Sequence, residues 1–165
     1  MLVSLVQGDI TQQDVDAVVN AANTRMRGGG GVDGAIHRAG GPAVLVDCVR
    51  RFPDGLAPGG AGWTTAGEMR ARWVIHVVGP NRTAGQTDRG LLTSCYRRAL
   101  EVADELGARS VAFPLVSAGI YGWPKDDAVA AAVETLRASP TQVEEARLVA
   151  FDAATHDLIR ERLTP

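Results

Sequence analysis

The stretch Asn23-Thr-Arg-Met-Arg-Gly28-Gly-Gly-Gly31-Val-Asp33 holds four consecutive glycines between a carboxamide and a carboxylate. A run of glycines does not sustain a regular helix or strand, because glycine loses the most backbone entropy on folding. Such a run is typical of a loop whose backbone approaches a ligand closely or turns through positive φ. An apolar helical pattern follows it, and the N-terminus of a helix binds anions. The stretch therefore predicts an anion-binding backbone loop with Asn23 and Asp33 beside it.

Strands and helices alternate on both sides of this loop. Short apolar runs predict strands, whereas apolar residues at helical spacing predict helices. The predicted strands are residues 2–6, 15–22, 63–67, 73–78, 110–116 and 145–151. The predicted helices are residues 33–39, 42–52, 88–106, 124–138 and 155–163. This alternation predicts one α/β domain over residues 1–165, built as a three-layer α/β/α sandwich.

Composition limits the partners of this domain. The formal net charge is −2, and Lys125 is the only lysine among scattered arginines, which argues against a broad nucleic-acid-binding face. No run reaches the roughly 20 apolar residues that span a bilayer, and residues 1–10 predict a strand instead of a signal peptide. Cys48 and Cys95 show no metal-ligand spacing. We expect a cytoplasmic protein with no membrane contact, no metal site and two buried reduced thiols.

A second glycine-containing loop, Ser117–Gly122, also follows a predicted strand. Ligands of open α/β sheets bind at the carboxyl ends of the strands, so we expect the two loops to face one cleft. The phosphate-binding pattern GxxxxGK[ST] is absent. The dinucleotide fingerprint fits badly, because the glycines lie too far after their strand and no acidic residue ends a second strand at the required distance.

Five motifs in this order and spacing resemble the macrodomain family and, within it, the MacroD-like branch. These motifs are Gly8–Thr11, Val19–Asn23, Gly28–His37, Trp73–Pro80 and Phe113–Pro124. The resemblance covers nearly the whole chain. It implies a three-layer α/β/α macrodomain with a central mixed sheet, and it implies that ADP-ribose binds at the strand ends without a required cofactor.

The same resemblance assigns residues to the adenine end of this ligand. Asp9 would accept a hydrogen bond from the adenine amino group, with the backbone of Ile10 alongside, and Phe151 would pack on the base. Two alternatives stay open from the residues themselves. Asp9 could only cap the turn that follows it, and Phe151 could belong to the core.

The resemblance assigns the diphosphate and the ribose to both loops. Backbone N–H groups would surround the diphosphate, helped by a helix N-terminus, because only bare backbone approaches so closely. The residues implied are Asn20, Gly29, Gly30, Gly31, Val32, Ser117, Ala118, Gly119, Ile120 and Tyr121. The chain departs from the family at Ala118, where threonine is frequent, and at Gly60, where an acidic residue is common.

Asn23 and Asp33 are the implied catalytic residues. Asn23 would hydrogen-bond the distal ribose, and Asp33 would lie near its anomeric carbon. Relatives with this pair remove ADP-ribose from acidic side chains of proteins and deacetylate O-acetyl-ADP-ribose. Asp33, a substrate phosphate oxygen or both could activate the water, and Asp33 could instead cap the next helix. We expect structural roles for His37 and His76.

The sequence leaves other functions open. The chain could be a non-catalytic ADP-ribose reader, or a hydrolase of ADP-ribosylated nucleic acid or of ADP-ribose 1″-phosphate. The retention of both Asn23 and Asp33 favours the hydrolase. The expected partners are ADP-ribosylated proteins and O-acetyl-ADP-ribose, with nucleic acid only where it is itself ADP-ribosylated, and we expect a monomer.

Overall fold

Six strands and five helices alternate along residues 1–165, all of which the computed structural model describes. The strands are β1 (Leu2–Gln7), β2 (Ala17–Ala22), β3 (Ala61–Thr65), β4 (Trp73–Val78), β5 (Ser110–Phe113) and β6 (Glu145–Ala150). The helices are α1 (Gly31–Gly40), α2 (Pro42–Arg51), α3 (Arg89–Leu106), α4 (Lys125–Ala138) and α5 (Ala153–Leu163). Short 3-10 turns occupy Ile10–Gln12 and Arg82–Ala84.

The six strands form one sheet in the order β1-β6-β5-β2-β4-β3. Every neighbouring pair is parallel except β3 and β4, which pair antiparallel at one edge. The mixed sheet implied by the family resemblance is therefore confirmed. Because β1, β6, β5, β2 and β4 are parallel, their carboxyl ends lie along one side of the sheet in that order. The connections that leave these ends can all contribute to one site.

Side chains alternate between the two faces of the sheet and define the layers. One set packs with α1, and the other packs with α3, α4 and α5. The first set includes Val18, Val74, Ala112 and Val149, and the second includes Val19, Ile75, Val111 and Leu148. Helix α2 packs beside α1 and β3, with Val44 and Cys48 against the ends of β2 and β4. The predicted three-layer α/β/α arrangement is confirmed.

The predicted boundaries differ from the observed ones at specific residues. Strand β5 ends at Phe113 and not at residue 116, because Pro114 has no N–H to continue the ladder. Helix α1 already begins at Gly31, inside the glycine run. Helix α5 begins two residues earlier than predicted, because Asp152 accepts a hydrogen bond of 2.8 Å from the N–H of Thr155 and caps its first turn.

Both cysteines are buried and unpaired, as predicted. Burial raises the pKa of the Cys48 thiol to about 11 and that of Cys95 to about 12, which keeps both thiols protonated and unreactive. None of the helices combines the length and hydropathy that a membrane crossing requires.

Candidate functional site

The two glycine-containing loops face each other across a cleft at the carboxyl ends of β2, β4 and β5. The cleft has a volume of about 220 Å³. Its lining residues are Ala21, Ala22, Asn23, Gly29, Gly30, Gly31, Val32, Asp33, Gly79, Leu115, Val116, Ser117, Gly119, Ile120 and Tyr121. Two open depressions with larger volumes, one beside α2 and one beside residues 24–27, are not lined by two such loops. The shared cleft, expected because each loop follows a strand, is present.

The glycine loop (residues 28–31) presents free backbone donors to this cleft. Helix α1 starts within the loop, so the N–H groups at its first turn have no partner in the helix. None of the N–H groups of residues 29–33 donates a hydrogen bond within the protein. A methyl group added at Gly30 or Gly31 would meet no atom within 4 Å, so both backbones face open space. The helix dipole adds a partial positive charge at the same place.

The second loop (residues 117–122) presents a further set of donors. None of the N–H groups of residues 117–121 donates a hydrogen bond within the protein. The carbonyl groups of this loop are held by Thr83, whose hydroxyl donates to Ile120 O at 3.1 Å and whose N–H donates to Tyr121 O at 3.1 Å. The hydroxyl of Tyr96 accepts the N–H of Val116 at 3.0 Å. A row of N–H groups held in this way forms an anion-binding concavity.

Ser117 lies under unusual constraint at the start of this loop. Its φ is +65°, a left-handed conformation that non-glycine residues rarely adopt. Its hydroxyl is buried and has no hydrogen-bond partner, and a methyl group added at Gly79 would overlap this hydroxyl and the side chain of Val116. Unpaired buried polar atoms and strained backbone are typical of functional sites.

Asn23 and Asp33 converge on Gly29. A methyl group added at Gly29 would lie 3.3 Å from Asn23 Nδ2 and 3.3 Å from Asp33 Oδ2. Asn23 is itself fixed, because its Nδ2 donates to Gly28 O at 3.1 Å and its Oδ1 accepts the N–H of Arg25 at 3.1 Å. One N–H of the Asn23 amide stays free. The two predicted catalytic side chains therefore flank one point at the end of the cleft.

Asn20 and His37 hold one oxygen of Asp33, and Asp33 does not cap its helix. The cap position of α1 is Gly30, and no side chain satisfies it, so the capping alternative for Asp33 is wrong. Asp33 Oδ1 accepts a hydrogen bond of 2.8 Å from Asn20 Nδ2 and lies 3.4 Å from His37 Nε2. Asp33 Oδ2 has no hydrogen-bond partner in the protein. One carboxylate oxygen is thus anchored and the other is available to a ligand.

The structure corrects the expectation for Asn20. Its side chain is fully buried and absent from the cleft lining, so it cannot contact a ribose or a diphosphate. Asn20 instead joins Asp33 to His76, because its Nδ2 lies 3.0 Å from His76 Nδ1. The two residues are direct neighbours in the β2–β4 ladder. Asn20 is a positioning residue for Asp33.

His76 is a satisfied core residue, as predicted. Burial lowers the pKa of His76 to about 3, so the ring is neutral at ordinary pH. Because Nδ1 accepts from Asn20, we assign the ring proton to Nε2, which lies 2.8 Å from Thr64 Oγ1. Thr64 in turn donates to Thr65 O at 3.0 Å. This buried chain runs from β3 through β4 and β2 to Asp33.

The predicted adenine-end residues lie together at one corner of the sheet, outside the enclosed part of the cleft. Asp9 caps the turn after β1, since its Oδ1 accepts the N–H and the hydroxyl of Thr11 at 2.9 and 2.7 Å. Its Oδ2 is free, and the Ile10 N–H donates no hydrogen bond. Phe151 is 89% exposed directly after β6, so the core alternative for it is wrong. Strands β1 and β6 are paired through Gln7 and Ala150.

The remaining predicted residues divide by position. Tyr121 faces Asp33 across the cleft, and its pKa is raised by burial and then by the charge of that carboxylate. Ile120 leaves 86% of its surface exposed at the rim. Ala118 does not line the cleft and packs partly against the core, so only its backbone can serve a ligand.

Sequence reasoning missed Gly79, Thr83 and Tyr96. Gly79 follows the predicted strand at 73–78, so the strand-end argument that located both loops would have found it. Thr83 and Tyr96 contact the second loop and the residue before it from distant parts of the sequence, so no local sequence pattern predicts them.

The fold and the cleft define a class of protein, an open α/β domain that presents backbone N–H groups at the ends of parallel strands. Residues 19–132 match the family model described as Macro domain. The chain is 56% identical over 165 residues to a macro domain-containing protein of Streptomyces coelicolor, with 98% of each chain covered. The protein belongs to the macro domain family.

Two further comparisons agree with this assignment. The chain is 43% identical over 162 residues to O-acetyl-ADP-ribose deacetylase 1 of Pantoea vagans, covering 94% of this chain and 95% of that protein. A crystal structure of the Trypanosoma brucei macrodomain in complex with ADP-ribose matches with a TM-score of 0.89 and 34% sequence identity. That match covers 98% of this chain and 68% of the other. The predicted family and fold are confirmed.

Proposed function

We propose that the protein is a hydrolase that removes mono-ADP-ribose from acidic side chains of modified proteins and deacetylates O-acetyl-ADP-ribose. The observation that carries this proposal is the convergence of Asn23 Nδ2 and Asp33 Oδ2 beside Gly29, at the end of a cleft lined by free N–H groups. Both substrates carry an ester on the distal ribose of ADP-ribose, so one site serves both reactions.

ADP-ribose fits the order of groups along the strand ends. Asp9 and Phe151 follow β1 and β6, the second loop follows β5, and Asn23 follows β2. Adenine at the first pair, diphosphate at the second loop and distal ribose at Asn23 form one continuous path. The Trypanosoma brucei macrodomain binds ADP-ribose, which supports the same ligand here.

The cleft offers more hydrogen-bond donors to the diphosphate than to any other part of the ligand. Two rows of free N–H groups, at residues 29–33 and 117–121, supply neutral donors and a helix dipole. Such donors hold a dianion without lysine or arginine in the cleft, which agrees with the uncharged lining apart from Asp33. The absence of a basic face is therefore compatible with a phosphate ligand.

Hydrolysis adds one water across the ester. The acyl carbon gains the oxygen of the water, the bond from that carbon to the ribose oxygen breaks, and the ribose oxygen ends protonated, which gives ADP-ribose and a carboxylic acid. The free N–H of Asn23 orients the ribose, and Asp33 Oδ2 orients the water and accepts its proton directly or through a phosphate oxygen of the substrate. Asn20 holds the other oxygen of Asp33 so that Oδ2 stays aimed at the cleft.

The test measures free ADP-ribose released from a protein that carries ester-linked mono-ADP-ribose, with O-acetyl-ADP-ribose as the second substrate. Replacement of Asp33→Asn or Asn23→Ala should lower kcat by roughly 10²- to 10⁴-fold. Calorimetry should show that Asp33→Asn changes ADP-ribose affinity far less than turnover. The matched control is Asp14→Asn, which makes the same chemical change at an exposed carboxylate that forms no hydrogen bond.

The same experiment distinguishes the alternative functions. Tight ADP-ribose binding without release from either substrate would overturn the hydrolase and leave a reader of ADP-ribosylated proteins. Release from an ADP-ribosylated nucleic acid end, or phosphate release from ADP-ribose 1″-phosphate, in preference to both esters would assign the site to those substrates. Equal loss of binding in both variants would mean that Asp33 only supports the glycine loop.

A further inference from the structure

On the proposed function, the placement of ADP-ribose along the strand ends sets the direction in which a modified protein leaves the cleft. The proposed path of the ligand runs from β1 and β6 through β5 to β2, where Asn23 lies. The group esterified to the distal ribose must continue in the same direction, past β2 and towards β4. The surface in that direction is formed by residues 24–27 and by the loop that precedes β3.

These two segments enclose an open depression directly beside Asn23. Its lining residues are Thr24, Arg25, Arg27, Pro53, Asp54, Gly55, Leu56 and Ala57. The volume of this rim depression is about 650 Å³. The Leu56 N–H donates to Thr24 O at 2.9 Å, and the Gly59 N–H donates to Val78 O at 2.7 Å, so the loop is tied both to the glycine-loop segment and to the end of β4. The depression therefore lies on the exit side of the cleft.

Two arginines in the rim depression have no acidic partner. Arg27 Nη1 donates to Arg25 O at 3.1 Å and to Met26 O at 3.2 Å, while its Nη2 donates to Pro53 O at 3.2 Å. These carbonyls fix the guanidinium without neutralising it. Arg25 is exposed, and its side chain forms no hydrogen bond and no ion pair. Asp54 also lines the depression but pairs with neither arginine.

Some arginines elsewhere in the protein are neutralised by a neighbouring carboxylate, whereas Arg27 is held by three backbone carbonyls. Arg51, Arg89 and Arg147 each pair with a carboxylate at 2.9 to 3.1 Å. A fixed guanidinium that has donors to spare and no counter-charge matches the geometry of a carboxylate ligand. The rim depression therefore combines proximity to the reacting end, preorganised positive charge and space for a chain.

We propose that the rim depression binds the acidic segment that flanks the modified residue of an ADP-ribosylated protein, with Arg25 and Arg27 contacting its carboxylates. This inference rests on the proposed function, because it assigns the acceptor side of the same site. It predicts that the enzyme prefers ADP-ribose attached within acidic stretches. O-acetyl-ADP-ribose carries only a methyl group beyond the ester carbonyl, so it does not reach the arginines.

The experiment compares three substrates: O-acetyl-ADP-ribose, a peptide with mono-ADP-ribose on a glutamate flanked by glutamates, and the same peptide with flanking glutamines. Wild-type protein should show the higher kcat/KM on the acidic peptide. Arg25→Glu should lower kcat/KM on the acidic peptide by about tenfold, because like charges then meet, and it should leave O-acetyl-ADP-ribose unchanged. Raised ionic strength should reduce the preference for the acidic peptide in wild type and not in the variant.

The controls separate this inference from structural damage and from the proposed function. Arg70→Glu makes the same charge change at an exposed arginine just before β4, at the amino ends of the parallel strands and so at the end of the sheet away from the cleft, and it should behave like wild type. Equal kcat/KM of wild type and Arg25→Glu on the acidic peptide, with wild type active on O-acetyl-ADP-ribose, would overturn the inference alone. Inactivity of wild type on all three substrates would overturn the proposed function and this inference with it.

Discussion

The two ends of the proposed ADP-ribose path, here called the ribose end and the adenine end, are built in opposite ways. At the ribose end, Asp33 is 5% exposed and is joined through Asn20 and His76 to the middle of the sheet. At the adenine end, Asp9 and Phe151 stand on the surface, and Phe151 has 89% of its area exposed. Bond cleavage requires a fixed carboxylate, whereas recognition of a flat base requires only an accessible ring and an acceptor. On the proposed function, we expect changes at the ribose end to alter turnover and changes at the adenine end to alter affinity.

The ribose end also carries backbone strain. Met26 and Ser117 are the two non-glycine residues with positive φ, and they lie on the segments that flank the cleft. Met26 is 1% exposed and belongs to a cluster with Val44 and Cys48, so core packing holds the strained segment in place. No comparable strain occurs at Asp9 or Phe151. The precision of the ribose end therefore depends on the hydrophobic core beneath it.

The strongest test of this contrast is Gly29→Ala. The added methyl group would lie 3.3 Å from both Asn23 Nδ2 and Asp33 Oδ2, so it should push the pair apart and fill the position of the reacting groups. We expect kcat on O-acetyl-ADP-ribose to fall by about 100-fold, with unfolding little changed. The control is Gly8→Ala, which lies outside both loops and whose methyl group meets only Gln13 Nε2 at 3.8 Å, an ordinary van der Waals contact. Equal turnover of the two variants would show that the ribose end tolerates displacement.

The second test uses acid to probe the buried support of Asp33. The pKa of His76 is about 3 in the folded protein, against about 6.5 for an unperturbed histidine. Between these values the unfolded chain binds a proton that the folded protein does not, so stability falls as pH drops below about 6.5. From pH 7 to pH 5 this group alone should remove about 2 kcal/mol from the free energy of unfolding.

Denaturant unfolding at both pH values checks this expectation. His76→Gln should lower stability at pH 7, because the Asn20 and Thr64 contacts are disturbed, but it should lack the His76 part of the acid loss. His156→Gln, a change at a partly exposed histidine on α5, should keep the wild-type acid loss. An undiminished acid loss in His76→Gln would mean that the core beneath the ribose end does not titrate in this way.

Much of the fold could be predicted from the sequence, because its signals are local. Each strand and helix left an apolar pattern or a turn signal, and the errors are a few residues at element ends, as at Pro114 and Asp152. The sheet order could not be predicted in this way. Strand β1 pairs with β6 across almost the whole chain length, and no local pattern encodes that contact.

In the site, too, features with local sequence signals were predicted and long-range contacts were not. Both loops were predicted because each follows a strand, and the roles of Asn23 and Asp33 were implied by the resemblance to the macrodomain family. The role of Asn20 was not predicted, because its contact with His76 depends on the register between β2 and β4. A motif gives residue identities but not whether a side chain points into the cleft or into the core. Asn20 and Asn23 belong to one motif, and only Asn23 lines the cleft.

Phe151→Ala tests the adenine end. We expect ADP-ribose affinity to fall about tenfold, because stacking on an aromatic ring contributes roughly 1–3 kcal/mol per base. The variant should keep its kcat at saturating substrate and its stability, since the exposed ring contributes little to the core. Calorimetry with ADP-ribose measures the affinity, and denaturant unfolding measures the stability. Val46→Ala removes an exposed apolar side chain on α2 and should change neither. A loss of kcat in Phe151→Ala would break the contrast between the two ends.

Asp9→Asn should have the smallest effect. It tests whether Asp9 binds the adenine amino group in addition to capping the turn at Thr11. The amide keeps an oxygen that can cap the turn at Thr11, so the fold should be retained. What the variant loses is an acceptor for the adenine amino group, which should weaken ADP-ribose binding roughly threefold to tenfold. A ligand with hypoxanthine in place of adenine lacks that amino group. Wild type should therefore prefer ADP-ribose over this ligand, and Asp9→Asn should lose the preference. A preference retained in the variant would leave Asp9 as a turn cap alone and would reduce the adenine end to Phe151 and backbone.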